Sequence, residues 1–177
     1  MEKTKKRSRK SQEESGVNDS YTQYLTFMLG SETYGIAVKD VREVVEFDRV
    51  FKIPRVPESI RGVINLRGEV VPVIDLGSRF YSTQCGITIL TSVVIVEVRY
   101  NGRDVLVGIM IDEVKAVVNI YNRNIESTPE FGAKIRGDFV REIGKVDDGF
   151  VILLDTNKVI DIHELSNLCS SMEVNNE

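Results

Sequence analysis

Between Gln23 and Leu29 the side chains alternate, with Leu25, Phe27 and Leu29 pointing one way and Tyr24, Thr26 and Met28 the other. A period of two predicts a half-buried strand. Gly30-Ser31 turns the chain into a second strand that ends at Gly35-Ile36. Beyond it Val38, Val41, Val44 and Val45 recur at three- and four-residue intervals. That helical spacing predicts a short helix over 38–43 with Arg42 and Glu43 outside. Pro54 and Pro57 make the following stretch a rigid loop. Gly62–Leu66 and Glu69–Ile74 are apolar runs around Arg67-Gly68, a predicted hairpin. Pro72 has no N–H to give a ladder, which places the second run at a sheet edge or in a bulge. Val93–Val98, Asn101-Gly102 and Val105–Ile111 form the clearest hairpin signal, because Asn-Gly readily takes the positive φ values of a tight turn. Phe139–Val146, Asp148-Gly149 and Phe150–Leu154 repeat the theme. Asp161 with Glu164 reads as a capping box that opens a helix striped by Ile162, Leu165, Leu168 and Cys169.

The pattern recurs. Residues 35–45 align without a gap to residues 108–118, so that Gly35-Ile36 matches Gly108-Ile109 and Val44-Val45 matches Val117-Val118. Downstream, Ile60-Arg61-Gly62 finds a counterpart in Ile135-Arg136-Gly137, and Val73-Ile74-Asp75 in Leu153-Leu154-Asp155, with a few residues inserted in the second hairpin. A separation near 75 residues is too long for a solenoid. It predicts two similar small β-units sharing one core, since neither is large enough to hide its apolar face alone. Such a pair leaves a groove at its junction and edge strands suited to protein contacts.

Composition sharpens the fold class. The chain holds 25 Val and 17 Ile against 10 Leu and 3 Ala, a β-branched bias that predicts a mostly β protein. Charge divides the chain: residues 1–10 carry a net +5, so the rest must carry −9 to give −4 overall. Residues 1–20 are nearly devoid of apolar side chains and are predicted to be a disordered basic tail, as is a short C-terminus over 171–177. The tail reads first as a solubilising arm, with contact to nucleic acid or anionic lipid as the competing option. One His and two well-separated Cys leave no zinc cluster, no redox pair, and no triad except through His163. Phosphate-loop and nucleophile-elbow patterns are missing from the sequence. Asp75, Asp112 and Asp155 each end an apolar run, where capping the next turn is their expected work. Few strand aromatics on an acidic body argue against nucleic acid. No apolar run reaches the roughly 20 residues of a membrane span. The residues alone predict a cytosolic β-rich binding module with no catalytic site, cofactor or metal.

A family resemblance goes further. Gln23-Tyr24-Leu25-Thr26-Phe27, Tyr34-Gly35-Ile36, Val41-Arg42-Glu43-Val44, Ile53-Pro54, Gly62-Val63-Ile64-Asn65-Leu66-Arg67-Gly68 and Val71-Pro72-Val73-Ile74-Asp75-Leu76 together closely resemble the chemotaxis coupling protein family CheW. The likeness continues through Val107-Gly108-Ile109 and Val114 and spans roughly residues 22–165. It implies two similar five-stranded SH3-like β-barrels packed around a shared core, with short helices and a C-terminal helix. The expected division is a domain over 21–170, with a first barrel over about 27–90 and a second over about 91–160 plus the start of the first strand. The resemblance also implies a non-enzymatic cytoplasmic adaptor at membrane-associated receptor arrays. Its partners would be the regulatory domain of the histidine kinase CheA and the cytoplasmic tip of methyl-accepting chemoreceptors, with membrane association only through those receptors. By position it points to Val41, Glu43, Gly62, Arg67 and Gly108 as residues that touch partners or shape the contact, with Glu43 and Arg67 able to pair. An adaptor of another receptor-kinase pathway and a small nucleic-acid-binding β-barrel are the alternatives, with a weak enzyme, which would need a pocket holding a perturbed acid or base, as a third.

Overall fold

The computed structural model describes residues 20–128, 138–147, 149–161 and 165–166. The apolar runs become strands β1 (Tyr21–Leu29), β2 (Glu32–Ala37), β3 (Val41–Glu46), β4 (Ile60–Leu66), β5 (Glu69–Asp75), β6 (Ser92–Tyr100), β7 (Arg103–Ile111), β8 (Glu113–Tyr121), β9 (Ile125–Glu126), β10 (Val140–Val146) and β11 (Gly149–Leu154). Two short helices, α1 (Leu76–Tyr81) and α2 (Thr156–Val159), follow β5 and β11. The fold is mostly β and builds two sheets, one ordered β8-β1-β2-β11-β10-β9 and the other β3-β6-β7-β5-β4.

The predicted helix over 38–43 is not formed. A 3-10 turn, Val38–Asp40, leads instead into β3, which pairs antiparallel with β6. The pairing slips between Val41 and Glu43, so Val41 faces Val96 while Val44 faces Val94. A bulge adds one residue to the strand. It stretches a two-residue period to three, and this is how a strand acquired a helix-like valine spacing. The predicted half-burial of β1 is also corrected: Tyr24 and Thr26 are as deeply buried as Leu25 and Phe27. Leu25, Phe27 and Leu29 enter the large core between the sheets, whereas Tyr24 packs with Ala37, Ile120, Val151 and Leu153 in a smaller core of the six-stranded sheet. Pro72 lies on an interior strand, since β5 sits between β4 and β7. Val63, opposite Pro72, exchanges both backbone hydrogen bonds with Phe51 on its far side. The Pro72 nitrogen therefore faces β7, where the parallel ladder begins one residue later at Val73 and Gly108.

The repeat is real and its register is tight. Aligned strand for strand, β8-β1-β2-β11-β10 and β3-β6-β7-β5-β4 have the same order. Gly35 pairs with Leu153 as Gly108 pairs with Val73. One landmark needs correction. The hairpins β4–β5 and β10–β11 match with no insertion, and each carries a bulge at the same place, between Ile60 and Gly62 and between Val140 and Glu142. The counterpart of Ile60-Arg61-Gly62 is thus Val140-Arg141-Glu142, whereas residues 135–137 lie outside the described residues. The sheets also do not coincide with units over about 27–90 and about 91–160 plus the start of the first strand, although β1 does pair within the sheet of β8 to β11. The chain leaves β2 in one sheet to form the edge strand β3 of the other, and leaves β7 to form the edge strand β8 of the first.

Short helices close the junction. Asp75 accepts a hydrogen bond from the Ser78 N–H at the start of α1, and Asp155 one from Asn157 at the start of α2, as the capping expectation holds. Asp112 instead accepts from the Gly30 N–H at 2.7 Å. Phe80 of α1 stacks on Phe139 and leans on Tyr34 of β2, with ring centroids 5.3 and 5.7 Å apart, joining the two sheets. Of the predicted C-terminal helix, Leu165 is buried and its N–H donates to the Asp161 carbonyl. Ile162, His163, Glu164, Leu168 and Cys169 lie outside the described residues, as does Asp148.

Candidate functional site

The five-stranded sheet ends in two edge strands, β3 and β4, and the candidate residues gather where these edges approach each other. After the bulge, Glu43 and Val45 share one face of β3. A carboxylate on the half-buried face that Glu43 shares with Val45 needs a partner, and Arg67 supplies it: its Nη2 donates to Glu43 Oε2 at 2.8 Å. Arg67 sits at the tip of the β4–β5 hairpin with φ +53°, followed by Gly68 at +90°, and Asn65 Oδ1 accepts from the Gly68 N–H at 2.8 Å to brace the turn. The pair expected between these residues is present, but Glu43 comes from a strand and not from a helix. With the Arg67 side chain 80% exposed, the contact adds at most about 1 kcal/mol of stability. Its effect is to hold the guanidinium in one place, with the remaining donors turned to solvent.

Beside the pair lies an open cleft of about 390 Å³ whose apolar floor includes Val45, Phe47, Ile64, Leu66 and Val93. Glu46, Asp48 and Arg49 stand around it, and the Arg49 guanidinium lies 5.0 Å above the half-exposed Phe51 ring. Phe51 is fixed by its reciprocal backbone bonds with Val63, at 2.8 and 2.9 Å. Gly62 makes that approach possible. At φ +143°, a Cβ there would stand 2.2 Å from the Phe51 carbonyl oxygen. Gly108 works from below. It is buried in β7, and a Cβ would meet Val93 Cγ1 at 2.7 Å, pushing a floor residue of the cleft. Glu43, Gly62, Arg67 and Gly108 are therefore brought to one place. Val41 is not; it is half-buried across the bulge and packs toward the core between the sheets.

Sequence reasoning passed over Phe47, Phe51 and the reach of Asp75. An aromatic two residues before Pro54-flanking Ile53 was the available sign for Phe51. Asp75 does more than cap: its wholly buried carboxylate also accepts from Arg61 Nη1 at 3.1 Å and from the Cys85 N–H at 3.1 Å. Burial, with the Asp75 charge second, raises the Cys85 thiol well above its ordinary pKa, which keeps it protonated and unreactive at neutral pH. Burial likewise raises the Tyr34 hydroxyl, which hydrogen-bonds to Tyr81. Among the described residues, no group of three or more His, Cys, Asp or Glu is placed to hold a metal ion, and no helix is long and apolar enough to cross a membrane.

The six-stranded sheet carries a cleft at the equivalent place, about 570 Å³, lined by Val118, Tyr121, Arg123, Lys145 and Asp147 among others. There the counterparts of Glu43 and Arg67 are Ala116 and Asp147. The acid–guanidinium pair belongs to one unit alone.

The described geometry has close relatives. A family model for the CheW-like domain matches residues 23–164. The chemotaxis protein CheW of Klebsiella aerogenes is 33% identical over 144 residues, 81% of this chain and 84% of that protein. That of Treponema pallidum is 32% identical over 158 residues, 87% and 91% respectively. Among solved structures, the scaffolding protein TtCheW from Thermoanaerobacter tengcongensis superposes with a TM-score of 0.72 at 34% identity, covering 84% of this chain and 94% of its own.

Proposed function

The chain belongs to the CheW family, and from that premise we propose that it is a non-enzymatic chemotaxis adaptor that couples the cytoplasmic tips of chemoreceptors to the histidine kinase CheA. One face meets the kinase's regulatory domain, and the junction between the sheets takes the receptor's helical hairpin. The adaptor then resides in the cytoplasm at receptor arrays and meets the membrane only through the receptors. The observation that carries this reading is the coincidence of the family match, residues 23–164, with a held but exposed Arg67 beside an apolar cleft. An apolar floor with an oriented guanidinium at its side is the anatomy of a protein-binding hot spot. In this reading Arg67 and Glu43 touch the kinase domain, Gly62 and Gly108 shape the surface, and Val41 borders the receptor groove.

Titration calorimetry of the full chain against a receptor-tip hairpin and against the CheA regulatory domain tests it. Both are expected to bind. Arg67→Ala is expected to weaken the kinase-domain interaction by about tenfold, the effect of an interface arginine losing roughly 1.4 kcal/mol. Absence of binding to both fragments up to about millimolar concentration, the weak end of the affinity scale, would overturn the adaptor assignment.

A further inference from the structure

Between α1 and β6 the chain exposes three aliphatic side chains: Ile87 is 60% exposed, Ile89 98% and Leu90 51%. No charged residue occurs from Phe80 to Val96, in a chain that is 28% charged. The segment is nonetheless held firmly. Thr88 N–H donates to Thr91 Oγ1 at 2.8 Å, Leu90 N–H to Thr88 Oγ1 at 3.1 Å, and Thr91 Oγ1 to the Gly86 carbonyl at 3.0 Å. At its start, the Cys85 N–H is bonded to buried Asp75. At its end, the Thr91 carbonyl accepts from Phe47 at 3.1 Å, and Phe47 lines the cleft beside Glu43 and Arg67. An apolar loop fixed by hydrogen bonds loses little entropy on meeting a partner, and exposed aliphatic groups in water mark contact surfaces.

We infer that the loop Ile87–Leu90 is an anchoring contact for the same kinase regulatory domain that meets Arg67, extending the cleft into one continuous docking face. The inference rests on the reading of that face as kinase-binding. Three side chains alone fall far short of the roughly 1,200 Å² that a stable interface buries, so a dimer built on the loop alone is disfavoured. Continuity with the cleft, through the Phe47–Thr91 bond and the adjoining Val93, joins the loop to the apolar floor beside Arg67. Asp75 acts as a positioning residue: one carboxylate ties the strand bearing Arg61, the start of α1 and the root of the loop.

The test is calorimetry of the full chain and its Ile89→Ser/Leu90→Ser variant against the kinase regulatory domain and the receptor-tip hairpin, with Arg67→Ala in parallel. Both substituted side chains face solvent, and an unchanged thermal midpoint confirms the fold. The expected result is a loss of about tenfold or more in kinase-domain affinity with receptor affinity unchanged. If kinase-domain affinity holds while Arg67→Ala weakens it, the inference fails and the function stands. If the receptor affinity falls instead, the occupant is wrong. Should the unsubstituted chain not bind the kinase domain, both the inference and the reading beneath it fall.

Discussion

Two glycines near the cleft look interchangeable in the sequence and differ sharply in their surroundings. A methyl group at Gly62 would strike a carbonyl oxygen of the backbone at a φ that other residues rarely adopt, whereas one at Gly108 would press on a valine side chain that can yield. Gly62→Ala is therefore expected to cost more than about 2 kcal/mol, and Gly108→Ala between about 1 and 3 kcal/mol. Urea unfolding of the two variants checks the order, and a smaller loss for Gly62→Ala would contradict the strained approach of Phe51. The positions of both glycines were readable from the sequence, but what they make room for was not. Phe51 lies eleven residues before Gly62, and only the folded loop brings it across.

At the scale of elements, the β4–β5 hairpin puts backbone strain and the proposed kinase contact in a single residue. Arg67 occupies the left-handed region, which costs a non-glycine residue about 1 kcal/mol. Its exposed pair with Glu43 returns at most a similar amount. Arg67→Gly should leave the unfolding free energy unchanged or raise it by up to about 1 kcal/mol, while losing kinase-domain affinity. A fall in stability beyond 1 kcal/mol would show that the Glu43 pair outweighs the turn. Hairpins were the most legible elements, because Asn101-Gly102 and Arg67-Gly68 announce themselves locally. Strand β3 was the least legible. Its bulge is a property of pairing with β6, and the valine spacing it produces imitates a helix until that partner is known.

For the whole molecule, the exchange of edge strands decides how it folds. Without β6 and β7, a chain ending at residue 90 cannot connect β3 to β5, and without β1 and β2 the remainder leaves β8 and β11 unpaired on one side. Residues 1–90 and 91–177 expressed apart are expected to lack a cooperative transition. The full chain should unfold in a single step, with far-ultraviolet circular dichroism and tyrosine fluorescence coincident. A fragment that melts cooperatively alone would contradict the shared core.

The amino-acid order was enough for the mostly β class, the duplication and the hairpin turns, because turn chemistry, β-branched composition and repeated landmarks are local properties of the chain, whereas the pairing of Glu43 with Arg67 was expected only through the family likeness. It also carried the family likeness. It was not enough for which strands share a sheet, for the burial of β1 on both faces, for the true counterpart of Ile60-Arg61-Gly62, or for the cleft and its neighbouring apolar loop. These depend on contacts between residues distant in the chain. Whether an isoleucine such as Ile89 is core or surface is settled only when the rest of the molecule has, or has not, closed over it.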